Sequence, residues 1–331
     1  MHSHLIFQLN KQFPNPVPTE TLSQQFNCSA AEITEAVEEL RALGLVIHSY
    51  NSGLQLASPL YSLPGIKTYL NTQTFGTQGL YLFETIDSTH TYVSNNLSTI
   101  DHGSVLLAYS QTAGRGRRGR KWSSPIGKSL SLSIVLKEFS AQMKPTLLTQ
   151  LTAAALQQAL SETGLPVAIK WPNDLLINRR KVAGVLTEAM FERQVLQAIT
   201  IGIGINLNQS QTDFPTEIHT KATSLALETE SPFFADKLIA QFLKIFEQFY
   251  QDYQQSLDPE PFLSICRQES AVIGEIVTVV QGDKRRDVEV LGIEATGELL
   301  VRDLSSQEKM TLISSEVSLR NPDGSYITFK P

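Results

Sequence analysis

Cysteine is almost missing: Cys28 and Cys266 are the two among 331 residues, and neither sits in a CxxC pair. A disulfide framework and a thiolate metal site are therefore not expected. Long apolar runs are missing too, so no segment reaches the roughly 18–20 residues that span a bilayer. The start, Met1-His2-Ser3-His4, lacks a basic stretch followed by an apolar core, so no signal peptide is expected and the cytoplasm is the expected compartment. There is no excess of positive charge. Lys and Arg number 27 against 33 Asp and Glu, a net of −6, so the chain as a whole is not a polyanion binder. Any nucleic-acid contact needs a local basic surface. The six histidines are scattered, and His2-x-His4 at a terminus is a poor metal pair. What remains, 41% hydrophobic and 18% charged, is ordinary globular composition at a length of two or three domains.

Three regions follow one another. In residues 1–62, Thr19–Phe26 reads as a short helix, Asn27-Cys28 as a turn, and Ser29 as the N-cap of a second helix. That helix carries Ile33, Val37, Leu40 and Leu43 at helical spacing and ends at Gly44. Residues 45–48 and 54–56 flank the turn Asn51-Ser52-Gly53 as a hairpin. Helix, turn, helix and hairpin outline a winged helix-turn-helix. Pro59, Pro64 and Gly65 mark a linker. Residues 67–268 alternate strands (80–85, 104–110, 130–136, 168–171, 175–177, 181–190, 197–206) with a helix over 145–164. A second apolar stripe runs through Leu238, Phe242, Ile245, Phe249 and Tyr253. Residues 271–320 turn to period-two patterning, with strands at 275–280, 287–293, 298–303 and 309–313 and turns at Gly282-Asp283 and Thr296-Gly297. Short strands with tight turns suggest a small β-barrel.

The strongest chemical feature is Gln111-Thr112-Ala113-Gly114-Arg115-Gly116-Arg117-Arg118-Gly119-Arg120-Lys121-Trp122. Five of the eight residues from 114 to 121 are basic, inside an acidic protein. Three glycines deny this stretch a stable helix or strand and predict a mobile loop. Guanidinium forks on such a loop suit a polyphosphate, although a solvated charge run or a nucleic-acid patch has the same composition. The Gly-Lys-Ser/Thr ending of a P-loop is missing. In Ile169-Lys170-Trp171-Pro172-Asn173-Asp174, the lysine ends a short apolar strand before a turn, where a rigid ammonium can meet an anion. Asp174 either helps bind Mg²⁺ or caps the turn. Asp87-Ser88-Thr89-His90 opens a helix, either as plain N-capping or to hold a carboxylate or ureido group. Gly202-Ile203-Gly204-Ile205-Asn206 ends a strand, and its glycines allow either the close approach of a ligand or a tight crossing against another strand.

Taken together these segments, with Lys181-Val182-Ala183-Gly184 and Glu316-Val317-Ser318-Leu319-Arg320, closely resemble the bifunctional biotin ligase/biotin operon repressors of bacteria. The resemblance covers nearly the whole chain. It implies an α+β multidomain fold: an N-terminal winged helix-turn-helix (1–62), a central class II synthetase-like mixed α/β sheet domain (67–268), and a C-terminal SH3-like β-barrel (271–320). It implies synthesis of biotinyl-5′-AMP from biotin and ATP with Mg²⁺, without a dedicated protein metal site. Transfer to a lysine of the biotin carboxyl carrier protein of acetyl-CoA carboxylase would follow. Biotin contacts would come from Ser88, Thr89, His90, Gln111, Arg115, Gly116, Arg117 and Lys170. The adenylate would meet Arg117, Arg118, Trp122, Lys170, Asn173, Asn206 and Arg320, and the catalytic charges would be Lys170, Arg115 and Arg117.

Two departures stand out. Position 90 is His where the pattern usually has Asn. The expected DNA-reading segment, residues 19–38 with Thr19 opening the first helix and Glu38 on the second, is acidic. Residues 1–62 hold Lys11 and Arg41 against Glu20, Glu32, Glu35, Glu38 and Glu39, a net of −3. Phosphate contacts supply much of DNA affinity, so operator DNA, bound as a homodimer, is a weakly equipped partner. The alternatives to a ligase-repressor are a ligase with a vestigial DNA-binding domain and a lipoate-type ligase.

Overall fold

The computed structural model describes residues 1–140, 142–281, 283–313 and 318–320. The chain divides into two compact units. The first comprises Met1–Val135, Gly204–Asp213 and Ser224–Lys244, and the second Leu136–Ile203, Phe214–Thr223 and Ile245–Pro331.

The chain opens with α1 (His2–Gln12), α2 (Thr19–Phe26) and α3 (Ala30–Ala42), then the antiparallel hairpin β1 (Ile47–Tyr50) and β2 (Gly53–Leu56). On α3 the residues Ile33, Ala36, Val37 and Leu40 are buried, as helical spacing predicts. Ser29 caps it as expected: its hydroxyl accepts from Glu32 N (3.2 Å), and Glu32 Oε2 accepts from Ser29 N (2.8 Å). The N-terminal segment forms helix α1, which buries Leu5, Ile6 and Leu9, and His2 on it bonds Glu39 and Glu84. The expected linker carries a short helix. Ser62 caps α4 (Leu63–Tyr69), where Pro64 occupies a first-turn position that needs no amide hydrogen.

There follow β3 (Leu80–Ile86), α5 (Thr89–Asn95), β4 (Val105–Gln111) and β5 (Ser129–Leu136). Strand β3 runs parallel to β4, and β4 antiparallel to β5. Every residue of β5 is buried, so this strand is covered on both faces. Next come α6 (Pro145–Ser161), β6 (Val167–Lys170), β7 (Asp174–Ile177), β8 (Arg180–Glu192) and β9 (Val195–Asn206). The order across this mixed sheet is β3-β4-β5-β9-β8-β7-β6, and the end of β9, from Gly204, belongs to the first unit. Helix α6 packs on β6, β8 and α9, and is buried nearly all round.

The remaining elements are α7 (Leu225–Thr229), α8 (Asp236–Ser256), α9 (Glu260–Gln268) and a five-stranded antiparallel sheet. That sheet is made of β10 (Ile276–Gln281), β11 (Lys284–Ile293), β12 (Leu299–Asp303), β13 (Lys309–Leu312) and β14 (Ser318–Arg320), in the order β13-β12-β11-β10-β14. Glu316 and part of the Gly282-Asp283 turn lie outside the described residues. No helix among the described residues is long and apolar enough to cross a membrane.

Candidate active site

In the first unit, the end of β4 and the start of α5 hold a buried polar network. Gln111, the last residue of β4, accepts at Oε1 from the amide of Thr89 (2.8 Å) and from its hydroxyl (3.2 Å). Its Nε2 donates to Ser131 Oγ (3.0 Å), and Ser131 meets Ser124 Oγ at 3.1 Å. Thr89 Oγ1 lies 2.7 Å from Ser133 Oγ, which lies 3.2 Å from His90 Nδ1. Ser88 is buried at the N-cap position of α5 without a side-chain capping bond, and its own amide donates to Asp87 Oδ1 (2.6 Å). The first amide of α5 thus donates to Gln111, which ties this helix start into the network. Three of these partners, Ser124, Ser131 and Ser133, escaped the sequence reading. Their signal was present: Ser129-Leu130-Ser131-Leu132-Ser133 alternates, which on a strand puts the hydroxyls on one face.

The basic loop leaves Gln111 directly. It is closed on itself: Arg115 and Lys121 form an isolated antiparallel bridge, Gly116 N donates to Arg120 O (2.7 Å), and Trp122 N donates to Gly114 O (3.0 Å). At its tip, residues 117–119 make a 3₁₀ turn with Arg118 and Gly119 at positive φ (59° and 71°). The glycines therefore support a tight hairpin turn. Its neck ends at Trp122, whose indole lies against Gly204 of β9. A Cβ on Gly204 would stand 2.3 Å from Trp122 Cε2. The close approach expected at the Gly-Ile-Gly segment is thus made by the protein's own tryptophan.

Two residues beyond Gly204, on the same face of β9, Asn206 is buried and accepts at Oδ1 from Gln209 Nε2 (3.0 Å). The segment after it is pinned: Leu207 N and Asn208 N both donate to Lys128 O (3.1 and 2.8 Å), and Lys128 Nζ bonds both oxygens of Asp213 (2.6 and 2.8 Å). Burial of Asp213 opposes its charge, but the bonds from Lys128 and Ser210 outweigh this and hold its carboxyl below the ordinary range.

In the second unit, Lys170 ends β6 and is buried, paired across the hairpin with Asp174. The strand is held from three sides. Ile169 N donates to Glu269 O (2.7 Å), Ala271 N donates to Ile169 O (2.8 Å), and Trp171 Nε1 donates to Gly297 O (3.0 Å). Gly297 is required twice over: its φ is 83°, and a Cβ there would stand 2.6 Å from Gln150 Nε2. Asn173 serves the frame, donating from Nδ2 to Val185 O (2.8 Å) while its carbonyl accepts from Val185 N (2.9 Å). Asp174, weighed for Mg²⁺ or a cap, accepts from Lys181 Nζ (2.6 Å). Among the described residues no group of three or more His, Cys, Asp or Glu is placed to hold a metal ion. Arg320 stands on β14 opposite Thr278.

These features define a class: a mixed-sheet α+β protein with a hydroxyl-and-amide recognition network opening into a cationic loop. The family model described as the biotin/lipoate A/B protein ligase family matches residues 82–206. The chain is 34% identical over 241 residues to the bifunctional ligase/repressor BirA of Bacillus subtilis, covering 71% of this chain and 73% of that protein. It is 30% identical to the biotin–acetyl-CoA-carboxylase ligase of Paracoccus denitrificans, covering 65% of this chain and 91% of the relative. A biotin protein ligase from Aquifex aeolicus, solved with biotin and ATP, superposes with a TM-score of 0.64 at 28% identity, over 74% of this chain and 99% of that one. The chain belongs to the biotin/lipoate protein ligase family, on its biotin ligase branch.

Proposed function

We propose that this protein is a biotin–protein ligase that makes biotinyl-5′-AMP and then biotinylates a carrier lysine. The observation that carries the reading is the buried network of Thr89, His90, Gln111, Ser131 and Ser133 at the strand end where the basic loop begins. Each hydroxyl has one donor and two acceptor sites. The network therefore suits biotin's ureido ring, with its two N–H donors and one carbonyl. A lipoyl dithiolane offers no hydrogen-bonding atom and would desolvate these groups without replacement, at about 1–3 kcal/mol for each one left unpaired. That favours biotin over lipoate.

In the first step a biotin carboxylate oxygen attacks the α-phosphorus of ATP, and the bond to the β-phosphate oxygen breaks to release pyrophosphate. In the second a lysine amine of the carrier attacks the acyl carbon, AMP leaves, and the amine loses its proton. Neither step needs an enzyme nucleophile. Both need positioning and charge neutralisation, assigned here to Lys170, Arg115 and Arg117. Ser88 and Gly116 complete the biotin contacts, and Arg118, Trp122, Asn206, Asn173 and Arg320 are assigned to the adenylate. Mg²⁺ would arrive on the ATP phosphates, since Asp174 is engaged by Lys181.

Around this core we assign α1–α3 with the β1–β2 hairpin as a winged helix-turn-helix, and β10–β14 as an SH3-like barrel. A biotinyl-AMP-dependent repressor activity is the second reading, favoured by that N-terminal element order. Its DNA contact is weak, because Arg41 is committed to Ile47 O (2.6 Å) and Glu38 (2.6 Å). Incubation with biotin, ATP, Mg²⁺ and the carrier domain of acetyl-CoA carboxylase tests the ligase. One biotinyl group should be added in mass, and only with ATP. No ATP-dependent gain would overturn it.

A further inference from the structure

Gln150 stands on α6 and is 3% exposed. Its Nε2 donates to Gly297 O at 2.6 Å, and Trp171 Nε1 donates to the same oxygen at 3.0 Å. A carbonyl oxygen has two lone pairs, so both acceptor sites of Gly297 are spent on these two side chains. The carbonyl belongs to the turn between β11 and β12. That turn is itself closed, Gly297 N donating to Glu294 O (2.8 Å) and Glu294 N to Glu298 O (2.9 Å). A Cβ on Gly297 would also stand 2.7 Å from Leu147 Cδ2, so the turn lies as close to α6 as a glycine allows.

The other half of the Gln150 amide gains nothing from this place. Its Oε1 has no hydrogen-bond partner among the described residues, and an apolar side chain of similar length would avoid that desolvation cost. Nor can the amide be turned over, because Oε1 would then face the Gly297 carbonyl. A buried amide kept at such a cost, with its nitrogen on one carbonyl, points to the holding of that carbonyl as its role.

What the carbonyl holds is Trp171, the residue after Lys170. Both are buried, and Lys170 ends β6 opposite Asp174. A single planar peptide unit joins them, so a shift of the indole is passed to the strand end that aims the ammonium. Misplacing a reacting group by about 1 Å can cost roughly a hundredfold in rate.

We infer that Gln150 is a positioning residue of this ligase. Through the Gly297 carbonyl it fixes Trp171, and with it the strand end that presents Lys170 to the anionic substrate. The inference rests on the ligase reading and adds to it a residue that acts through another.

The test uses the full chain and reads kcat for biotinyl-AMP formation beside the melting temperature. Gln150→Met keeps the length and removes both the donor and the orphaned acceptor. It should lower kcat by roughly 2- to 12-fold, the worth of one hydrogen bond, with no fall in melting temperature. In a Lys170→Ala background the same substitution should change the residual rate by less than about twofold, because the group being positioned is gone. A Gln150→Met protein with wild-type kcat overturns the inference. So does one that loses rate by the same factor with and without Lys170, which is the signature of a merely structural amide. If the wild-type protein makes no biotinyl-AMP from biotin and ATP, the ligase reading itself fails, a result distinct from an unchanged kcat.

Discussion

Replacing Gly204 with alanine adds one methyl group against a flat ring. The new Cβ would stand 2.3, 2.5 and 2.7 Å from Cε2, Cζ2 and Nε1 of Trp122. Carbon atoms rest at about 3.5–4.0 Å, so the indole has to move by about 1 Å or more. A rigid ring cannot yield by rotating a terminal atom, and overpacking of this kind costs roughly 1–3 kcal/mol. The displacement reaches the basic loop, because Trp122 N closes its neck on Gly114 O at 3.0 Å. If that cost falls on the nucleotide-bound state, the KM for ATP should rise roughly 5- to 150-fold. Biotin binding through the Gln111 network should change little. Trp122 is only half-buried, so it can swing outward and the melting temperature should drop by just a few degrees. Pyrophosphate release against ATP concentration, with a thermal melt beside it, measures both effects. A double-mutant cycle sharpens the test: once Trp122→Ala has removed the ring, Gly204→Ala should add almost nothing. A Gly204→Ala protein with wild-type KM for ATP, or one fully additive with Trp122→Ala, would refute the reasoning.

Lys170→Ala should lower biotinyl-AMP formation by at least about tenfold, the effect of losing a charge-assisted contact of about 1.5–3 kcal/mol. Near-wild-type synthesis in a folded variant excludes the assignment. Asp236 caps the Ser62 amide (2.8 Å) from a desolvated position that pushes its pKa from 3.8 to about 6. A raised acid pKa means that stability present below pH 3.8 is lost as pH rises to about 6, amounting to at most about 3 kcal/mol. Asp236→Asn keeps an acceptor for Ser62 and should gain on the wild-type protein in melting temperature across that window, then hold a constant lead. A pH-independent difference contradicts this. Binding to the biotin-synthesis promoter should be micromolar, with a shallow slope of log affinity against log salt, because residues 1–62 offer few cations for phosphate. Nanomolar binding in a mobility shift would mean that side chains outside α3 carry the contact.

Local patterns marked out much of the candidate site in advance. Ser29, the apolar spacing of α3 and the closing Gly44 are short-range signals, since caps and helical periodicity involve residues a few positions apart. The order of the arginine-glycine loop, the Lys-Trp-Pro-Asn-Asp turn and the Gly-Ile-Gly strand was equally plain, and so was the acidity of the N-terminal region. Folding decided what those segments touch. Helix α1 carries Leu5, Ile6 and Leu9 at one helical turn, too short a stripe to read by itself, and it exists because the core buries it. Gly204, which looked open to a ligand, is met by Trp122, 82 residues earlier, and Trp171 is fixed by a carbonyl at Gly297, 126 residues later. Hydroxyls of β5 join Thr89 and Gln111 only because β5 pairs beside β4. Periodicity says which face of an element is buried, whereas strand order says what that face meets. Strand order is set by the whole core, and so the partner of each site residue emerged only in the tertiary structure.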